Sequence, residues 1–150
     1  MGNSNREIRS SRLLDAPREL VWKAFTDPEH IKQWWGPNGF TNTIHKMDVR
    51  RGGEWNFIMH GPDGTNYRNE IHYVEVTAPE RLVLSHGPTP RFQMTIELFD
   101  RGSKTEVHWC NLFETEEDYK RAVEVFHAIE GQKQTIDRLE SYLSSNFQPH

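Results

Sequence analysis

The chain has 150 residues, with 18 basic and 22 acidic side chains and a formal net charge of −4, which allows one domain with its own core and offers no basic face for nucleic acid. Its one cysteine, Cys110, excludes an internal disulfide framework and fits a reducing compartment. The polar start, MGNSNREIRSS, has no apolar signal region and no stretch approaches a membrane span, so the expected location is the cytoplasm.

In chain order, residues 6–14 read as a strand with Ile8, Leu13 and Leu14 as apolar points. Asp15 or Ala16 is expected to cap a helix over 17–25, with Pro17 in its first turn and Leu20, Val21, Ala24 and Phe25 on one face. A second start signal, Thr26-Asp27-Pro28-Glu29, opens a short helix through Ile31 to Trp35, and Gly36-Pro37-Asn38-Gly39 stops it.

From 40 to 113 the signals are strand and turn. Strands are expected at 40–50, 54–60, 67–77, 81–86, 91–100 and 104–113. Their turns are Arg51-Gly52-Gly53, Gly61-Pro62-Asp63-Gly64, Ala78-Pro79-Glu80, Gly87-Pro88-Thr89-Pro90 and Arg101-Gly102-Ser103. Strands joined by such short turns run antiparallel.

Thr115-Glu116-Glu117-Asp118 resembles a capping box, with Glu116/Lys120 and Glu117/Arg121 as helical pairs behind it. Beyond it Ala122, Phe126, Ile129, Ile136, Leu139 and Leu143 recur at helical spacing. The stripe is interrupted by Gly131, Gln132 and Lys133, and the segment reads as one helix or as two with a break near 128–131. The expected fold class is α+β. A seven-stranded curved antiparallel sheet wraps around a long C-terminal helix, with two short helices between strands 1 and 2. One domain over 1–150 is expected, ordered over about 6–146.

Strand period two sorts the inward residues. They are Trp55, Phe57 and Met59 in the strand over 54–60, then Tyr67, Asn69, Ile71 and Tyr73 in the strand over 67–77. Leu82, Leu84 and His86 follow, then Phe92, Met94, Ile96 and Leu98, and finally Val107, Trp109, Asn111 and Phe113. Asn69, His86 and Asn111 are polar residues in apolar registers, and Gln132 and Lys133 face the same region from the helix. Such groups bond to each other, to water or to a ligand, because an unpartnered buried polar group costs about 1–3 kcal/mol.

The expected cavity wall is therefore Trp35, Trp55, Phe57, Met59, Asn69, Ile71, Leu84, His86, Met94, Trp109, Asn111 and Phe113, closed by Ile129, Gln132, Lys133 and Ile136. Of the adjacent pair Trp34-Trp35, one can enter the core while the other lies near an opening, or both can pack under the strand that follows. None of the eight histidines pairs at a metal-ligand spacing, and His108-x-Cys110 supplies two ligands where zinc needs three or four. No metal, no cofactor and no catalytic residue is assigned. The carboxylate pairs Asp48/Glu54 and Glu70/Glu75 read as a solvated face.

Several motifs, taken together and in order, carry a family resemblance. They are Ala16-Pro17-x-Glu19-x-Val21-Trp22-x-Ala24-Phe25-Thr26-x-Pro28-Glu29, Trp34-Trp35-Gly36-Pro37, Arg51-Gly52-Gly53-x-Trp55 and Met59-x-Gly61-Pro62-Asp63-Gly64. Glu75-Val76, Pro79-Glu80-Arg81-Leu82 and Glu130-Gly131-x-x-Gln134-Thr135 continue the series. Over about 6–143 the chain resembles the activator-of-heat-shock-protein-90-ATPase homologue-like family, within the START/birch-pollen-allergen-like (SRPBCC) superfamily. That resemblance implies the helix-grip fold, a deep cavity between sheet and long helix, and a link to stress response. Many such relatives place tryptophan after the helix glycine, where this chain has Gln132, which implies a more polar cavity.

Three functions follow as expectations, in this order. The first is a binding protein for a small hydrophobic or amphipathic molecule. The second is an interaction protein contacting a heat-shock chaperone through the surface around residues 34–40. The third is a cyclase- or hydrolase-type enzyme, for which His86 is the candidate base by register.

Overall fold

A computed structural model of the chain describes residues 6–87 and 91–146. The elements are β1 (Glu7–Leu14), α1 (Arg18–Thr26), α2 (Pro28–Trp34), β2 (Thr41–Met47), β3 (Glu54–His60), β4 (Asn66–Thr77), β5 (Arg81–Gly87), β6 (Phe92–Arg101), β7 (Lys104–Phe113), α3 (Glu116–Phe126) and α4 (Ala128–Asn146). The seven strands form one antiparallel sheet in the order β1-β7-β6-β5-β4-β3-β2. This is the expected helix grip. β2 to β7 form a meander of neighbours, and β1 sits at the far edge because the two short helices carry the chain across. Of the turn expected at 87–90, residues 88–90 lie outside the described residues.

Local chemistry explains the boundaries. Pro17 is itself the N-cap of α1, and no side chain caps that helix. Asp27 ends α1 and starts α2, its carboxylate accepting from the Glu29 amide at 2.9 Å with Pro28 in the first turn. The strand expected over 40–50 stops at Met47. Residues 48–53 fold into a turn, with Arg50 N–H donating to Asp48 C=O at 3.0 Å and Gly53 N–H to Arg50 C=O at 2.8 Å. A Cβ at Gly53 would sit 2.0 Å from the Asp48 carbonyl oxygen, so only glycine closes that turn.

In β4 the inward set is Tyr67, Asn69, Ile71 and Tyr73, as the alternation predicts. A bulge between Tyr73 and Glu75 then resets the pleat, leaving Val74 exposed and Val76 packed against the core. Thr115 caps α3 by accepting from the Asp118 amide at 3.0 Å, and Lys120 lies 3.7 Å from Glu116.

The C-terminal segment is two helices. His127 adopts the left-handed conformation, φ 54° and ψ 45°, and ends α3 one residue before the interval where a break was expected. The break splits the apolar stripe. Ile136, Leu139 and Leu143 of α4 enter the main core and Ala122 of α3 enters a smaller cluster with Ile8 and Phe113. Phe126 and Ile129, on either side of His127, are 43% and 50% exposed.

The main core is aromatic at its centre. Trp35 packs on Trp109 at 5.4 Å and on Trp55 at 4.9 Å, Trp55 stacks on Phe57 at 4.3 Å, and Phe25 meets Trp34 edge-on at 5.0 Å. Trp34 and Trp35 are both buried, so neither lies at an opening. Consecutive side chains on the last turn of a short helix can both be buried here because the helix end is enclosed by sheet and α4. No helix among the described residues is long and apolar enough to cross a membrane.

Candidate functional site

The tryptophan cluster fills one part of the space between sheet and helices. The neighbouring part is a cleft of about 750 Å3. Its floor is the end of the sheet: Met59 of β3, Tyr67 and Asn69 of β4, His86 of β5, Phe92 of β6, and Asn111 and Phe113 of β7. The strand registers align these side chains, since His86 pairs with Phe92 and Phe92 with Phe113 across β5, β6 and β7. The roof is the α3–α4 elbow, from Ala122, Val125 and Phe126 to Gly131 and Gln134. Pro37, Asn38 and Phe40 form one side.

That side is held by Arg138 of α4. Its guanidinium donates to the backbone carbonyls of Trp35 (3.3 Å), Gly36 (2.9 Å), Pro37 (2.9 Å), Gln33 (3.4 Å) and Phe40 (3.1 Å). Burial lowers its pKa, but a guanidinium remains charged at neutral pH. The cation thus satisfies carbonyls at the end of α2 that have no helical partner, where the helix dipole also favours positive charge. Asn42 binds the same bend from below, its amide donating to Trp35 C=O at 2.9 Å. Gly36 is required at the bend: its φ is +100°, and a Cβ would come within 2.7 Å of Met59 Cε.

The floor has three polar groups among aromatic ones. The Asn69 amide nitrogen donates to Tyr67 C=O at 3.1 Å, which turns its oxygen toward His86. His86 Nε2–H therefore donates to Asn69 Oδ1 at 2.5 Å. The imidazole lies flat on Phe92, 4.3 Å between centroids and 12° between planes. Asn111 Oδ1 accepts from the Trp109 indole N–H at 3.3 Å. The charges on the lining are Arg68, Glu130 and any carried by histidine. Arg68 pairs with Glu70 at 2.6 Å and is largely exposed.

Sequence alternation placed several residues on one wall, and the fold divides them. Met59, Asn69, His86, Asn111 and Phe113 line the cleft. Trp35, Trp55, Phe57, Ile71, Leu84, Met94, Trp109 and Ile136 are buried in the core beside it. Gln132 is buried against β1, where its amide donates to Ile8 C=O at 3.1 Å and its oxygen accepts from Ser10 Oγ at 2.5 Å. Lys133 is exposed, as is Ile129. The polar interruption of the helix stripe thus tethers the helix to an edge strand. Tyr67, Phe92, Val125 and Phe126 join the lining without having been expected there. Phe92 was legible as inward, whereas the lip residues needed the break at His127 to reach the cleft.

The family model of activator of Hsp90 ATPase homolog 1-like protein matches residues 15–144. The chain belongs to this family. A solution structure from Arthrobacter aurescens is similar at TM-score 0.89 and 23% identity, covering 100% of this chain and 96% of that one. A crystal structure from Nitrosomonas europaea is 30% identical at TM-score 0.83, covering 95% and 96%. One from Mycobacterium smegmatis is 20% identical at TM-score 0.84, covering 99% and 96%. No curated protein matches. In this activator-of-Hsp90-ATPase-homologue-like fold, the matched interval includes every residue of the floor and the roof just described.

Proposed function

We propose that this protein binds a small hydrophobic or amphipathic molecule in the cleft under the α3–α4 elbow. The observation that carries the reading is the cleft itself, about 750 Å3 with Phe92, Phe113, Phe126 and Met59 among its walls and a few polar groups between them. Concave, mostly apolar sites with few polar groups are the usual form of a small-molecule site, and this volume is within their range. The fold supports it, since the tryptophans that could have filled this end are packed beside it instead. A chaperone contact through residues 34–40 has less support, because Trp34 and Trp35 are buried and the bend behind them is turned toward Arg138. Catalysis through His86 has less support too, because Nε2 is committed to Asn69.

The test is uptake of N-phenyl-1-naphthylamine, a neutral probe that fluoresces in apolar surroundings. The wild type should bind it saturably. Gly131→Leu should block uptake while keeping the melting temperature, since position 131 lines the cleft and a Cβ there meets only Pro37 Cγ at an ordinary 3.5 Å. Absence of saturable uptake by the wild type would refute the proposal. Native mass spectrometry of the purified protein provides a second readout, as a co-purified small molecule released on unfolding.

A further inference from the structure

We infer that the cleft selects an uncharged ligand carrying a carbonyl-type acceptor, read by the side-chain amide of Asn111; the inference rests on the cleft being a binding site. Asn111 is 9% exposed and sits on the floor beside Phe92 and Phe113. The Trp109 indole nitrogen can only donate, so the Asn111 oxygen must face it. That orientation turns the amide nitrogen away from Trp109 and toward the cleft. Among the described residues Nδ2 has no hydrogen-bond partner, while the Asn69 amide nitrogen is bonded to Tyr67. The residue is nine-tenths buried, yet Nδ2 is not among the buried unpartnered atoms, so its two N–H donors open onto the cleft, where a ligand acceptor can replace water and a ligand without one leaves them unmade.

The surroundings define the rest of the ligand. The floor residues beside Asn111 are Phe92, Phe113, His86 and Asn69, with no carboxylate and no lysine or arginine among them. A carboxylate at Asn111 would leave water for a site whose one lining arginine, Arg68, is largely exposed and already paired with Glu70. The cost of burying such a charge exceeds what a neutral amide returns. A ketone, ester or amide carbonyl presents the same acceptor without that cost. Phe92 and Phe113, 5.0 Å apart, offer ring faces and edges to the ligand body, so an aryl or alkyl group extending toward Phe126 completes the match.

The experiment displaces N-phenyl-1-naphthylamine with three ligands of similar size: butyrophenone (a ketone), butylbenzene (a hydrocarbon) and 4-phenylbutanoate at pH 8. Affinities are compared as the ketone-to-hydrocarbon ratio in the wild type and in Asn111→Leu. The expected ratio is about tenfold higher in the wild type, the order expected of one hydrogen bond to a donor on the floor of the cleft. Butylbenzene should bind both proteins. If Asn111→Leu does not fold, Asn111→Asp serves instead, since it keeps an acceptor for Trp109 and removes both donors. In the wild type alone, butyrophenone should move the Asn111 side-chain amide resonances and butylbenzene should not. An unchanged ratio, unmoved resonances, or 4-phenylbutanoate binding more tightly than butyrophenone would overturn the inference while the cleft stands. Failure of the wild type to take up the fluorescent probe would instead remove the cleft reading, and this one with it.

Discussion

The space between sheet and helices has two ends built from the same strands. At one end Trp35, Trp55 and Trp109 interlock with Phe25 and Phe57, and this aromatic centre is closed. At the other, Asn69, His86, Asn111 and Phe113 continue the inward registers, yet the helical roof lifts at His127 and the floor stays accessible. Trp109 and Asn111 are two residues apart on β7, on the same face, and the indole–amide bond between them marks the boundary. One side of that bond is packed protein and the other borders the cleft. Contiguity along a strand face therefore says that residues point inward, but not whether what they meet is protein or space.

Substitutions should separate the two ends. The largest effect is expected from Trp35→Ala, which removes the ring shared by Trp34, Trp55 and Trp109. It should lower unfolding stability by about 3–5 kcal/mol in urea titration. Fluorescent-probe uptake by the folded fraction should persist, and loss of uptake at unchanged stability would break the division. Arg138→Met comes next, with a cost of about 2–3 kcal/mol, because charge-assisted hydrogen bonds are lost and the carbonyls of residues 33–40 lose their donor. Hydrogen exchange of the Phe40 amide, which donates to Pro37 C=O at 3.1 Å, should accelerate with it. Arg138→Lys should rescue only part of this, since a single ammonium cannot span carbonyls on both sides of the bend. The smallest stability change is expected from Phe126→Ala at the lip, within about 0.5 kcal/mol as for an exposed position, together with weaker uptake of the probe. Equal losses of stability at Trp35 and Phe126 would remove the contrast between closed and open ends.

Much of the fold was legible in the sequence because its signals are local. Turn glycines such as Gly52-Gly53 and Gly61–Gly64, period-two alternation in β6 and β7, and the Asp27-Pro28 start signal each act over a few residues. The bulge at Tyr73/Glu75 was not read from the alternation, which keeps one inward set through Tyr73; the shift that brings Val76 against the core depends on pairing with β5. The clasp at Arg138 left no trace either. An arginine amid helical charges reads as a solvent-facing side chain, and the carbonyls that it binds lie about a hundred residues earlier in the chain.

The sequence by itself determined the strand and helix order, the inward faces of the strands and the family, because hydrophobic period and turn chemistry are carried by neighbouring residues. It also singled out Asn69, His86 and Asn111 as polar residues in apolar registers. Only the tertiary structure decided what they face. It buried Gln132 against Ile8 and Ser10, left Lys133 exposed, and closed the core with tryptophans before it reached Asn111. For the helical roof the physical reason is the left-handed conformation of His127, the one non-glycine residue with positive φ among the described residues. It changes the direction of the helical roof, and with it which side chains of the last thirty or so residues meet the sheet and which frame the cleft.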